Sequence, residues 1–262
     1  MSFLLLHGLG SDRRQPLEWF APAIAATGDD DDRIVALDVR AHGDSPVVGD
    51  PEDFAFDRLA AEVADAARTE LADATRPLTV IGISMGAALA LRIALDGLLD
   101  VRRAVFVRPA FGDRSLPPNL RAFPVIGELL RAEYPPGSSA IEAFHATDLF
   151  ARVEHESPAG ARALLGQFAA PAAAERAVRL VEVPRNRAFA DDAELGGLAT
   201  RGIRSLVVGA PRDPVHPLPL AERWAGGLGA PLEVLPARDD GPPAQVQAAR
   251  ESVGRWLAAT AD

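Results

Sequence analysis

Leu78-Thr79-Val80-Ile81-Gly82-Ile83-Ser84-Met85-Gly86-Ala87-Ala88 is the stretch on which the reading of this chain turns. After Pro77, residues Leu78–Ile83 form a short, mostly apolar run of the kind that makes a buried parallel strand. Residues 85–99 are rich in Ala and Leu and read as a helix. Between them lies Gly82-Ile83-Ser84-Met85-Gly86, a G-x-S-x-G sequence set between a strand and a helix. A turn this sharp brings the strand and helix backbones close together, and Gly82, Gly86, Ala87 and Ala88 are small enough to allow it. The geometry predicts Ser84 Oγ at the carboxyl edge of a sheet, facing backbone N–H groups and the positive end of a helix dipole.

Working outward, Ser2–Leu6 is another continuous apolar run, which breaks at His7-Gly8-Leu9-Gly10. Residues 16–26 carry Leu17, Phe20 and Ile24 at helical spacing, with Gly28 as a stop signal, and Arg33–Leu37 reads as the next strand. The acidic run Asp29-Asp30-Asp31-Asp32 between them reads as a solvated turn and receives no function. A helix follows from Phe56, and a fourth strand at Val101–Val107 is closed by Pro109. Residues 203–208 and 231–235 read as two further strands, followed by helices from about Pro217 and over 243–258. Strands alternating with helices predict an α/β fold with a doubly wound, mostly parallel sheet of about six strands. Residues 113–197 show helical spacing and no convincing buried strand, which predicts a helical lid inserted in a core made of residues 1–112 and 198–262.

Composition narrows the chemistry. With 262 residues, 48% of them hydrophobic and 24% charged, the chain has the size and balance of one α/β domain with a sizeable interior. A formal charge of −10 repels phosphate backbones and anionic lipid, so neither nucleic acid nor membrane is an expected partner. There is no Cys, which removes disulfides, thiolate catalysis and Cys-ligated metals. All 27 basic residues are Arg, which removes Schiff-base and pyridoxal-phosphate chemistry. No cofactor and no metal site are expected. The first apolar run is too short for a signal peptide or a membrane span, so the expectation is a cytoplasmic protein acting on a small molecule. Oligomeric state is left open.

The elbow, together with His7-Gly8-Leu9-Gly10-Ser11 and the loop Asp38-Val39-Arg40-Ala41-His42-Gly43-Asp44-Ser45, resembles the α/β-hydrolase family over nearly the whole chain. Ala41 stands where the family often has a second Gly. The resemblance implies an oxyanion hole formed by the backbone N–H groups of Leu9 and Met85, with His7 and Arg40 in support and both His7 and His42 buttressing loops. His145 and His155, in the expected lid, read as helix-surface or core residues. The segment Gly209-Ala210-Pro211-Arg212-Asp213-Pro214-Val215-His216-Pro217 resembles the family's acid-bearing loop, which makes Asp213 the candidate acid.

The base is the difficulty. In the family's order it follows the last strand, where this chain reads Leu235-Pro236-Ala237-Arg238-Asp239-Asp240, and no His lies beyond His216. Three readings stay open. His216 reaches Ser84 from the acid-bearing loop and serves as base. Alternatively Asp240, its pKa raised by Asp239 and by burial under the lid, handles protons in a non-hydrolytic cyclase or lyase reaction. In the third, the fold persists as a ligand-binding protein. The leading expectation is a cofactor-independent hydrolase of an ester, thioester or lactone of a small, fairly hydrophobic substrate, using Ser84, Asp213 and His216.

Overall fold

In the computed structural model, which describes residues 1–27, 32–71 and 77–260, six strands line up side by side in the order β2-β1-β3-β4-β5-β6. They are β1 (Ser2–Leu6), β2 (Arg33–Leu37), β3 (Leu78–Ile83), β4 (Val101–Val107), β5 (Arg204–Gly209) and β6 (Leu232–Val234), and every neighbouring pair is parallel. Parallel neighbours need crossovers, and helices supply them. In chain order these helices are α1 (Arg14–Ala25), α2 (Phe56–Glu70), α3 (Met85–Leu95), α4 (Ala122–Arg131), α5 (Ala140–His145), α6 (Asp148–Glu156), α7 (Pro158–Leu165), α8 (Val178–Glu182), α9 (Asp192–Leu195), α10 (Gly197–Thr200), α11 (Leu218–Leu228) and α12 (Pro242–Ala259). Helices α4–α10 all fall between β4 and β5.

Alternation along the strands divides the interior in two. Leu4, Leu6, Val80, Ala104, Phe106 and Val207 pack on one face, in a cluster shared with α2, α3 and α11. Phe3, Leu5, Ile81, Ile83, Val105 and Val208 point the other way, against Phe20 and Ile24 of α1 and Val253 and Leu257 of α12. Both faces are covered at the centre of the sheet, which is why β1 and β3 read as almost continuous apolar runs. Burial of Phe3, Leu4, Leu5 and Leu6 is complete.

Element ends differ modestly from the sequence expectations, for local reasons. Helix α3 stops at Leu95 rather than running to residue 99, because Gly97 takes a left-handed φ of +65° and the Leu98 amide donates back to the Ile93 carbonyl at 3.0 Å. At the sheet edge, β6 is shorter than expected, with only Leu232–Val234 in the ladder. Gly28 and Asp29 to Asp31, read as a helix stop and a solvated turn, lie outside the described residues. No helix among the described residues is long and apolar enough to cross a membrane.

Candidate active site

Parallel register decides what can meet at the carboxyl edge. Ile83 pairs with Val107 and Val107 with Val208, so the residues that follow β3, β4 and β5 emerge side by side. These are Ser84, Arg108 and the loop that holds Asp213 and His216.

Ser84 sits at the turn from β3 into α3 with φ +56° and ψ −109°, a conformation unusual for any residue with a Cβ. The surroundings hold it there. Its amide donates to the Val107 carbonyl at 2.9 Å and its carbonyl accepts from the Ala87 amide at 3.0 Å. The need for small neighbours is literal: a Cβ on Gly82 would lie 2.1 Å from the Gly86 carbonyl oxygen, and one on Gly86 would lie 2.4 Å from that of Leu6.

The Asp213 carboxylate organises its own loop. Oδ1 accepts from the Val215 amide at 3.1 Å and the His216 amide at 3.0 Å, folding the chain back so that the imidazole three residues on stands over the carboxylate. His216 Nδ1 lies 3.0 Å from both carboxylate oxygens, and His216 Nε2 lies 2.9 Å from Ser84 Oγ. Arg108, also in a left-handed conformation with φ +49°, completes the cluster. Its Nε donates to Asp213 Oδ2 at 3.1 Å, its Nη2 donates to the same oxygen, and Nη2 lies 2.9 Å from His216 Nδ1.

The network selects one tautomer. A guanidinium only donates, and an ionised carboxylate only accepts, so Nδ1 cannot serve both neighbours. Burial alone would raise the Asp213 pKa, but the charges and hydrogen bonds of His216 and Arg108 hold it far below the usual carboxylate range. Asp213 is therefore ionised and accepts a hydrogen bond from Nδ1–H, which leaves the Nε2 lone pair facing the Ser84 hydroxyl. Burial pushes the His216 pKa below its ordinary value of 6.5; Asp213 opposes this and the Arg108 charge adds to it. The imidazole is neutral at pH 7 and free to accept a proton.

A cavity of about 360 Å³ opens over Ser84. Leu9, Phe123, Leu164 and Val215 form its apolar walls, while Gln15, Gln167 and Arg238 add polar ends. Gln15 Oε1 accepts from the Gly8 amide at 2.9 Å and so fixes the loop that carries Leu9. The amides of Leu9 and Met85 have no hydrogen-bond partner among the described residues.

The remaining candidates lie elsewhere. His7 is fully buried behind the loop: Nδ1 donates to the Gly8 carbonyl at 2.9 Å and Nε2 accepts from the Val39 amide at 3.0 Å, a neutral imidazole holding two loops together. Burial lowers its pKa and, more strongly, that of His42, whose ring centroid is 4.9 Å from that of His7. Arg40 faces Glu62 and Asp53. His145 and His155 lie exposed on α5 and α6. The expectation of a buried Asp240 needs correction, since its side chain is 53% exposed and pairs with Arg212. Its neighbour Asp239 turns away, accepting from Ser157 Oγ at 2.5 Å and the Ala159 amide at 2.8 Å. Among the described residues, no three His, Cys, Asp or Glu side chains are grouped to hold a metal ion.

Of the charged residues that line the cavity, Arg108 and Arg238 were not anticipated. Arg108 had a signal, since it follows β4 as Ser84 follows β3. Arg238 had none beyond its place after the last strand.

Comparison with known proteins gives a consistent family. Human protein phosphatase methylesterase 1 is 36% identical over 96 residues, a match that spans 37% of this chain and only 24% of that protein's length. Among solved structures, MenH from S. aureus superposes with a TM-score of 0.69 at 15% identity, over 98% of this chain and 93% of that one. An enol-lactonase from Burkholderia xenovorans LB400 follows at 0.68 and 20%, over 98% and 90%. An esterase from Thermogutta terrifontis gives 0.64 and 21%, over 98% and 89%. The profile of the alpha/beta hydrolase family matches residues 3–250, and with the sheet order and elbow already described, this chain belongs to that family.

Proposed function

We propose that the chain is a cofactor-independent serine hydrolase that cleaves an ester, thioester or lactone of a small substrate, with Ser84 as nucleophile, His216 as general base and Asp213 as the orienting carboxylate. One observation carries this reading: the 2.9 Å contact from His216 Nε2 to Ser84 Oγ, with Asp213 behind the same ring at 3.0 Å. The base comes from the loop after β5 instead of the loop after β6, so the missing C-terminal His does not leave the serine without one.

The chemistry follows from the geometry. As Ser84 Oγ attacks the carbonyl carbon, its proton passes to Nε2, and the imidazolium that forms is stabilised by Asp213. The carbonyl oxygen gains charge where the free amides of Leu9 and Met85 can donate to it. Collapse of the tetrahedral adduct sends the Nε2 proton to the leaving oxygen or sulfur. Water then enters and attacks the acyl carbon as its proton passes to His216 Nε2, and collapse breaks the bond to Ser84 Oγ, which takes that proton back as the acid leaves. In this reading residues 113–197 act as the lid, since Phe123, Leu164 and Gln167 of that segment wall the cavity and exclude bulk water from it.

A fluorophosphonate probe should label Ser84 in the native protein. His216→Ala should slow turnover of an ester by on the order of 10⁴-fold or more, while Asp240→Ala changes it less than threefold, as suits a solvent-facing side chain. Labelling that survives in His216→Ala at the native rate would remove the base from the scheme.

A further inference from the structure

The loop after β6, where the base was expected from the family's order, presents Arg238 to the Ser84 cavity instead. Its backbone forms a tight turn, with the Gly241 amide donating to the Arg238 carbonyl at 3.2 Å. Its guanidinium has no hydrogen bond or ion pair among the described residues, although the residue is only partly exposed. Two neighbouring Arg side chains are matched, whereas Arg162 on α7 is exposed to solvent. Arg108 holds Asp213 and Arg212 holds Asp240. The carboxylates within electrostatic reach of Arg238 are Asp213 and Asp239, and each is already committed, the first to Arg108 and His216 and the second to Ser157 and the Ala159 amide. With His216 neutral, the cavity holds two guanidinium groups against one carboxylate, a surplus of one positive charge.

We propose that Arg238 is an anion-recognition residue, and that the ester taken by this cavity carries a carboxylate. The proposal rests on the cavity being the hydrolase site and adds to it a class of substrate. A cation partly removed from water without a partner is costly to maintain, and burial duly lowers the Arg238 pKa. An incoming carboxylate matches the planar fork of the guanidinium and restores the missing hydrogen bonds. Among the residues that line the cavity, one surplus charge suits a monoanion; a phosphate dianion would face Asp213 with Arg238 as the one uncommitted cation of that lining. The apolar walls at Leu9, Phe123 and Leu164 suit the short carbon chain that joins the carboxylate to the ester.

The test compares monomethyl succinate and monomethyl glutarate with the neutral isosteres methyl 4-methylpentanoate and methyl 5-methylhexanoate, in which an isopropyl group replaces the carboxylate. Binding is measured by ligand-observed NMR titration on Ser84→Ala protein, which cannot turn them over, and on Ser84→Ala with Arg238→Gln. The expected result is a preference for at least one monoanion over its isostere of about tenfold to a hundredfold, falling towards one when Arg238 is replaced. Equal binding of anion and isostere, or a preference that survives Arg238→Gln, overturns the proposal. Hydrolysis of the neutral esters by the native protein, and its loss in Ser84→Ala, decides the hydrolase reading separately. The binding ratio therefore speaks to Arg238 even where no ester is turned over.

Discussion

Arg108 shows how one side chain sets the working range of another. Its guanidinium, nearly inaccessible to solvent, forms an ion pair with Asp213 and lies 2.9 Å from the ring nitrogen of His216 that faces that carboxylate. It favours the ionised acid and disfavours the protonated base. In Arg108→Met the downward push on His216 disappears, so its pKa rises and the acid limb of kcat/KM moves to higher pH. The same change leaves a buried carboxylate short of its partner, and stability should fall by about 3 kcal/mol. A pH profile between 4.5 and 8 checks the first effect; a limb that stays put or moves to lower pH would show that Arg108 is only a structural brace. At this scale the positions of Ser84 and Asp213 were legible in the chain, because each belongs to a motif with fixed local geometry. That His216, and not Asp240, stands beside Ser84 was not. It depends on an Asx-type turn at Asp213 that lifts residue 216 towards the elbow, and on Asp240 facing solvent; neither leaves a pattern in the sequence.

At the scale of elements, the elbow is where sequence and packing agree most closely. The bounds of β1, β2, β3 and β4 were readable to the residue, since each is a short run rich in apolar residues set between polar or turn-forming ones. Helix ends were less so, because a terminator such as Gly97 acts through a left-handed conformation that spacing alone does not reveal. The segment between β4 and β5 was legible as helical, but not how it is fastened to the core. Arg176 donates to the Gly43 carbonyl at 2.6 Å and the Ser45 carbonyl at 3.2 Å, while Arg179 donates to the Ala41 carbonyl, itself at φ +59°. The crossing of β3 and α3 makes a direct prediction. In Gly82→Ala the new Cβ meets backbone atoms of Gly86 and Ala87, which cannot rotate away as a side chain can. Urea denaturation should show a loss of about 3 kcal/mol, and fluorophosphonate labelling of Ser84 should fall in the folded fraction as the turn opens. An alanine tolerated at this position, with labelling intact, would mean that strand and helix do not cross this closely.

For the molecule as a whole, buried histidines couple function to stability. His7, His42 and His216 all have pKa values lowered by burial, His42 the most clearly. The unfolded chain binds protons at these sites near pH 6.5, whereas the folded chain takes them up only at lower pH. As pH falls below 6.5, protonation therefore favours the unfolded state, and stability declines until each folded pKa is passed. Each site contributes a slope of up to about 1.4 kcal/mol per pH unit, so three together reach about 4 kcal/mol per unit at most. Asp213 adds a loss in the same direction at still lower pH, because its folded pKa lies below the ordinary 3.8 and its ion pair is given up only as acid protonates it. The net charge of −10 works the other way, since acid relieves repulsion, but surface carboxylates take up most of their protons below about pH 5 and leave the histidines in control above it. Urea midpoints should accordingly drop steadily from pH 7.5 to 5.5. His42→Asn, which keeps a donor for the Arg40 carbonyl, should flatten that slope by about one third whatever it does to the midpoint at pH 7.5. A midpoint that does not change across this range would mean that the three imidazoles take up protons in the folded protein as readily as in the unfolded chain, and that the neutral His216 on which the proposed chemistry relies is not maintained by the fold.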